Sequence, residues 1–216
     1  MHKKPNRVQT IREEKINTLI HGLGILFVIL SSPFLILKAR MFSVSMIVAV
    51  SVYAFGMLAV YSSSTIYHAL QTPHLKVKAN IIDHISIYLL IGGTYTPLII
   101  HYTKPETALI FLTVQWSIIL AGAILKLFFT GKYEIVSVGL YMTLGWMIIF
   151  VIKQVLHNMP PVIFSWIIAG GISYSVGIIF YRRHRAYYAH NIWHCFVLAG
   201  TIFHFIGIYK SLDQII

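Results

Sequence analysis

Residues 43–68 read SVSMIVAVSVYAFGMLAVYSSSTIYH and contain no aspartate, glutamate, lysine or arginine. A helix needs about 20 consecutive apolar residues to cross a bilayer core of about 30 Å. Lipid cannot hydrogen-bond to exposed backbone groups, so an apolar run of this length must form an internally bonded helix. The stretch therefore predicts a membrane span, and similar runs recur along the chain.

The composition of the whole chain agrees with a series of such helices. Of its 216 residues, 57% are hydrophobic and only 11% are charged, with a mean hydropathy of +0.76. Soluble domains carry about a quarter charged residues, which excludes a soluble core of this size. We predict an all-α membrane protein, a seven-transmembrane helix bundle that forms a single domain over residues 1–216, with 1–16 as a short basic cytoplasmic tail. The predicted spans are 17–37, 43–68, 83–101, 106–128, 135–154, 161–181 and 190–209.

The 17 lysines and arginines indicate the orientation of the bundle. Five of them fall on the side opposite the amino terminus: Lys38, Arg40, Lys104, Lys153 and Lys210. All the others share the side of the amino terminus, and the cytoplasmic side carries the excess of positive charge. We expect the amino terminus in the cytoplasm and the carboxyl terminus outside, in the plasma membrane.

The formal net charge of +11 raises the question of a nucleic-acid partner. Because the basic residues are confined to span ends, we expect them to contact anionic lipid headgroups and expect no nucleic acid. Membrane lipids are the predicted partners. The single cysteine, Cys195, excludes an intramolecular disulfide.

Four polar residues at predicted span ends form a candidate metal site. His190 and His194 are one helical turn apart, so they share a helix face with Cβ atoms about 6 Å apart. His68 ends the second predicted span and Asp83 begins the third. Because successive spans alternate in direction, all four lie at one depth, at the cytoplasmic edge of the bundle. Zinc takes nitrogen and oxygen ligands of this kind, and a catalytic site leaves one position to water.

Each of these residues also has a simpler interpretation. The pair His190-x-x-x-His194 is by itself a weak metal motif. Asp83 could be a helix N-cap or a first-turn acid, which the helix dipole favours. Ser64, one turn before His68, could bond back to its own helix. The combination, rather than any single residue, favours a metal site.

Two other polar features have no assigned role. Glu14, Asn17 and His21 follow steps of three and four into the first span. They either line the same cavity or cap the span at the membrane interface, and the second interpretation is slightly favoured. His204 lies ten residues beyond His194, about 15 Å deeper along a helix. There we expect an interhelical hydrogen bond or a cavity lining rather than a ligand of the same ion.

At these residues the chain resembles the hemolysin III group of the progestin and adipoQ receptor family, a distant relative of the alkaline ceramidases. The resemblance rests on Ser64-x-x-x-His68, then Asp83, then His190-x-x-x-His194, in this order across seven spans. Two further stretches fit it: Glu14-x-x-Asn17-x-x-x-His21-x-x-Gly24 and Gly93-Thr94-Tyr95-Thr96-Pro97. The match covers nearly the whole chain and is closest to the compact bacterial branch.

The resemblance implies a zinc cofactor bound by His68, His190 and His194. It implies catalytic roles for Asp83, in contact with the zinc-bound water, and for Ser64, in support of the site. It also implies a hydrolase for lipid amide or acyl bonds, with a lipid amide as substrate and a role in membrane lipid homeostasis. On this hypothesis Asp83 accepts the proton of the attacking water.

Two other classes of function stay open. A cytolysin that inserts into target membranes would fit the hemolytic activity for which the group is named. The first apolar run, however, lacks the small-x-small cleavage site of a secretory signal, and the spans are apolar nearly all round. A membrane sensor or receptor would use zinc structurally. Metal-dependent turnover would distinguish the enzyme from the sensor.

Overall fold

The chain folds into helices that run from one end of a bundle to the other. A computed structural model describes residues 7–130, 134–183 and 185–213, and these contain no strand. The helices are α1 (Ile11–Ala39), α2 (Val44–Ala69), α3 (Pro73–Tyr102), α4 (Pro105–Phe129), α5 (Glu134–Gly145), α6 (Ile152–Asn158), α7 (Pro161–Tyr181) and α8 (Ala189–Ser211), with a 3-10 turn, Met147–Val151, between α5 and α6.

Seven helical segments of the described chain are long and apolar enough to cross a membrane. The fifth of them, Glu134–Asn158, comprises α5, the 3-10 turn and α6, and each of the others is a single helix. The prediction of an all-α membrane protein with seven spans is thereby confirmed. The orientation of the two termini stays a prediction.

Local sequence explains where several helices begin. The side chain of Thr10 accepts a hydrogen bond from the backbone N–H of Glu13, whose carboxylate accepts one from the Thr10 backbone in return. This capping box satisfies two N–H groups at the start of α1. Ser43 caps α2 through the N–H of Met46. Helices α3, α4 and α7 begin with proline, at a position where the missing N–H costs no helical bond.

Two helix starts differ from their predicted positions. Helix α1 begins at Ile11, so residues 11–16 of the predicted tail are helical, while residues 1–6 lie outside the described residues. Helix α3 begins at Pro73, which places Asp83 ten residues inside it. The interpretation of Asp83 as an N-cap is therefore wrong. Hydropathy misses the start of α3 because its first turns are polar and mostly exposed.

The packing order of the helices defines the position of the candidate site. Helix α2 packs between α1 and α3, α7 packs on α8, and α8 returns to contact α1. Helices α1, α2 and α8 therefore surround one end of the bundle interior. The α2–α3 contact is very close, since a Cβ on Gly56 would lie 2.6 Å from the carbonyl oxygen of Leu89. Small residues permit such close helix crossings in membranes.

Candidate metal centre

Three buried histidines meet where α1, α2 and α8 converge. His21, His68 and His194 are each at most 2% exposed. Nε2 of His21 lies 2.7 Å from Nδ1 of His194, and Nε2 of His68 lies 3.0 Å from Nε2 of His194. One ring nitrogen of each histidine lies within 4.8 Å of those of the other two, so the three could hold one metal ion.

The carboxylate of Glu14 orients the ring of His68. One of its oxygens lies 2.6 Å from Nδ1 of His68, and the other pairs with Nζ of Lys76 at 2.9 Å. A carboxylate paired with lysine accepts hydrogen bonds, so Nδ1 of His68 carries the hydrogen. Nε2 of the neutral ring then presents its lone pair towards Nε2 of His194. Carboxylate–histidine pairs of this kind orient metal ligands and make them more basic.

Lys76 connects this pair to the end of α2. Its ammonium group donates to the backbone oxygens of Tyr67 and Leu70, at 3.2 Å each. The last carbonyls of a helix lack partners within the helix, and a lysine there satisfies them. The same side chain therefore caps α2 and holds Glu14 beside His68.

A second set of polar contacts joins the starts of α1 and α8. The amide of Asn191 donates to the backbone oxygen of Glu13 at 2.8 Å and to Oδ1 of Asn17 at 2.6 Å. The Glu13 carboxylate pairs with Arg7 and accepts a hydrogen bond from the backbone N–H of Tyr188. Tyr188 precedes α8 with a φ of 59°, in the left-handed region. These bonds fix the position of the first turn of α8, which carries His190 and precedes His194.

Ser64 lies between the histidines and Asp83. Its hydroxyl is 3.1 Å from Nε2 of His21 and also interacts with the Asp83 carboxyl. Ser64 and Asp83 are 1% and 7% exposed, so the carboxyl group is enclosed within the bundle. The contacts of Ser64 are thus with residues of the candidate site. The early start of α3 does not separate Asp83 from this site.

His190 lies beside the three-histidine group but is not one of its members. Its ring centre is 4.4 Å from that of His194 and 5.4 Å from that of His68. Its Nε2 is buried and has no hydrogen-bond partner among the described residues. The ligand set that includes His190 therefore stays a prediction.

The donor atoms fit a metal ion bound through imidazole nitrogens. Tetrahedral zinc has Zn–N distances of about 2.0–2.1 Å, so ligand nitrogens lie about 3.3 Å apart. Here one nitrogen from each of the three rings lies within 4.8 Å of those of the other two, which leaves room for an ion after a small adjustment of the rings. Nδ1 of His21 and Nε2 of His190 are buried without partners in the described chain. Unpaired polar atoms in a membrane interior are costly, and a cation bound through either atom would remove part of that cost.

Sequence reasoning missed three residues that support this centre. Glu13 follows Thr10 by three positions, the spacing of a capping box, so this signal was present in the sequence. Asn191 stands between the two predicted histidine ligands. Lys76 lies in a segment expected to be a loop, and no local signal places it beside Glu14.

Comparison with known proteins finds similarity over most of the chain. Residues 9–205 match the family described as Haemolysin-III related. The chain is 37% identical to the "Hemolysin-3 homolog" of Bacillus subtilis (strain 168) over 193 residues, 89% of this chain and 91% of that protein. It is 36% identical to "Hemolysin-3" of Bacillus cereus over 203 residues, 92% of this chain and 91% of that protein.

A similarity to animal proteins is weaker but covers most of the same region. The human "Monocyte to macrophage differentiation factor" is 25% identical over 167 residues, 74% of this chain and 69% of that protein. The family match extends over most of the chain. Each of the two Bacillus proteins is more than one third identical to this chain over about nine tenths of its length. Together with the seven spanning helices, these findings show that the chain belongs to the Haemolysin-III related family and is a multi-pass protein of the plasma membrane.

Proposed function

We propose that this protein is a zinc-dependent hydrolase that cleaves amide or acyl bonds of membrane lipids. The observation that carries the proposal is the convergence of three buried imidazoles with a buried carboxyl group, Asp83, that contacts them through Ser64. A merely structural polar cluster would have no need for an enclosed carboxyl group beside a potential metal site.

Zinc is the metal that this donor set favours. Imidazole suits zinc, which takes three protein ligands in catalytic sites and leaves a fourth position open. His68 and His194 belong to both the predicted ligand set and the group that converges in the structure. The third ligand is either His21, which converges with them, or His190, which the family resemblance implies.

The other residues of the site have separate roles in the proposed reaction. Bound zinc would supply Lewis acidity, which polarises a carbonyl and makes water more acidic. Asp83 accepts the proton of the attacking water as general base. Ser64 positions the Asp83 carboxyl, and Glu14 holds His68 in the required tautomer. The enclosed location of these groups excludes bulk water, which strengthens their electrostatic effects.

A lipid substrate is consistent with the surroundings of the site. The outward faces of the seven spans are rich in exposed leucine, isoleucine, valine and phenylalanine, which contact acyl chains in a bilayer. A substrate that reaches the site from the membrane would carry its scissile bond near the headgroup. We therefore propose lipid amides as the first substrates to test, with membrane lipid homeostasis as the physiological role.

The test is hydrolysis by purified protein in lipid nanodiscs, with fatty-acid release measured over a panel of amide-linked and ester-linked lipids. Asp83→Asn is compared with Asp213→Asn, an exposed aspartate that pairs with Lys38 at the opposite end of the bundle. Removal of the base should lower turnover by about 100-fold or more, with metal content retained, while Asp213→Asn stays active. Equal turnover in Asp83→Asn would contradict the base role, and no metal-dependent release across the panel would contradict the hydrolase.

The name of the Bacillus cereus relative, "Hemolysin-3", supports a second candidate function, direct lysis of target membranes. Purified protein added to erythrocytes or dye-loaded vesicles tests this candidate. Lysis that persists in His68→Ala and His194→Ala would favour a cytolysin over a metal-dependent enzyme.

A further inference from the structure

The fifth span is interrupted near its middle, in the part of the bundle that crosses the membrane. Helix α5 ends at Gly145, and the 3-10 turn begins at Met147. The hydroxyl of Tyr95 donates to the oxygen of Gly145 at 2.7 Å and accepts from the N–H of Ile148 at 3.0 Å. Interrupted backbone at membrane depth is tolerated only where protein buries it or where it lines a polar cavity.

A small cavity of about 30 Å³ lies beside this interruption. Residues of α3, the fifth span, α7 and α8 line it, and most of them are apolar. The polar side chains of the lining are Thr94, Tyr95, Trp146 and His204. His204 is ten residues beyond His194 on α8, so the cavity lies about 15 Å from the metal centre along the helix.

The imidazole of His204 presents a hydrogen-bond acceptor that has no partner. Its Nε2 lies 3.0 Å from the backbone oxygen of Ile167. A carbonyl oxygen can only accept, so Nε2 carries the hydrogen and Nδ1 carries a lone pair. Nδ1 is buried and has no hydrogen-bond partner in the part of the chain that the structure describes.

The other polar groups of the cavity wall cannot satisfy this acceptor. The hydroxyl of Thr94 donates its only hydrogen to the oxygen of Leu90. The hydroxyl of Tyr95 donates its hydrogen to the backbone oxygen of Gly145, and the indole N–H of Trp146 donates to the hydroxyl of Ser175. Each of these side chains has a single donor hydrogen. These three side chains therefore have no hydrogen free to donate to Nδ1 of His204.

We propose that this cavity is a binding site for one or two water molecules, one of which donates to Nδ1 of His204. A water needs about 10–15 Å³ of such volume and two to four polar partners, so the cavity has room for one or two waters. The second hydrogen of the water has acceptors in the free lone pairs of the Gly145 carbonyl and of the Thr94 hydroxyl. The water thus bridges α8 to the interrupted fifth span.

Radiolytic hydroxyl-radical footprinting of the full-length protein in nanodiscs tests the proposal. Radicals formed from an internal water oxidise the side chains next to it. Tyr95 lines the cavity and Tyr53 lies elsewhere in the core, and the two are 6% and 0% exposed, so they form a matched pair. We expect Tyr95 in the wild type to be oxidised severalfold faster than Tyr53.

Two variants separate bound water from other causes of oxidation. His204→Leu removes the acceptor and should reduce Tyr95 oxidation to the Tyr53 level, with metal content unchanged. Gly171→Ala keeps His204 and adds a methyl group to the cavity wall, where its Cβ would lie 3.7 Å from the Trp146 ring without a clash. It should lower the rate as well. Wild-type Tyr95 oxidised no faster than Tyr53, or rates unchanged in both variants, would overturn the proposal.

Discussion

Glu14 is the residue on which the geometry of the metal centre most depends outside the histidines themselves. It touches no other ring of the three-histidine group in the contacts described above, yet it sets which nitrogen of His68 is available. It also brings the cation of Lys76 to the same place. A change at Glu14 therefore tests whether the tautomer of His68 matters for metal binding.

Glu14→Gln should weaken zinc binding by about 10- to 100-fold, the usual effect of losing a carboxylate behind a histidine ligand. The neutral amide holds His68 less firmly and no longer pairs with Lys76. Zinc affinity, measured by competition with a fluorescent chelator, provides the test. Glu106→Gln, at an exposed acid in the first turn of α4, is the control. Equal affinity in both variants would show that Glu14 does not support the metal site.

The third ligand can be identified by comparing His21→Ala with His190→Ala. We expect one variant to lose zinc as completely as His68→Ala does and the other to retain it, because a catalytic zinc uses three protein ligands. Metal content of the purified variants gives the answer. Loss in both would indicate a closed four-histidine site and favour the membrane sensor. Retention in both would contradict the site described above.

Spacing along the sequence placed His68 and His194 in the predicted ligand set, and the structure brings these two residues together with His21, which spacing undervalued. With the first span predicted to start at 17, His21 stood at the membrane interface, where a capping role was reasonable. The helix in fact starts at Ile11, and the additional turns place His21 well inside the bundle. Which histidine approaches which partner depends on helix rotation and tertiary packing, which spacing alone does not determine.

At the scale of whole elements, the close crossing of α2 and α3 sets the distance between Ser64 and Asp83. Gly56 is at the contact, where an added Cβ would lie 2.6 Å from the Leu89 oxygen and 3.1 Å from the Leu90 Cα. These are backbone atoms, so a methyl group there must push two helices apart.

Gly56→Ala should therefore destabilise the protein by about 1–3 kcal/mol, the usual range for overpacking. Where no clash occurs, replacing a helical glycine by alanine stabilises a protein by roughly 0.5–1 kcal/mol. The contact of Gly56 with α3 is expected to turn this stabilisation into destabilisation. Gly22→Ala in α1 is the matched control, because nothing lies within 4 Å of its Cβ. Thermal unfolding in detergent should show a lower Tm for Gly56→Ala alone. Equal Tm values would mean that α2 and α3 are not held this closely.

Hydropathy predicts the number of spans well but not their continuity or their polar extensions. The apolar segments can be recognised in the sequence because a helix must be apolar where it contacts lipid. The exposed first turns of α3 are under no such requirement. No proline lies within the fifth span, so its interruption lacks the usual sequence signal of a helix break. It is stabilised by the hydroxyl of Tyr95 from the third span, a contact that only the folded bundle creates.

For the whole molecule, the asymmetric distribution of positive charge predicts the orientation in the membrane. Alkaline phosphatase fused after Ile216 should be active and a green fluorescent protein at the same position dark, because we expect the carboxyl terminus outside. Fusions after Thr130, between the fourth and fifth spans, should give the opposite result. A fluorescent carboxyl-terminal fusion would contradict the orientation and would place the metal centre at the outer face.

The metal content of purified protein shows whether the converging histidines bind zinc. Wild type and His194→Ala are purified without chelators and analysed by inductively coupled plasma mass spectrometry, with folding checked by circular dichroism. His194 contacts both His21 and His68, so its loss removes the shared centre of the group. We predict about one zinc per wild-type chain and almost none in the variant. A folded wild type without metal, even after zinc is added back, would show that the three histidines are not a zinc site.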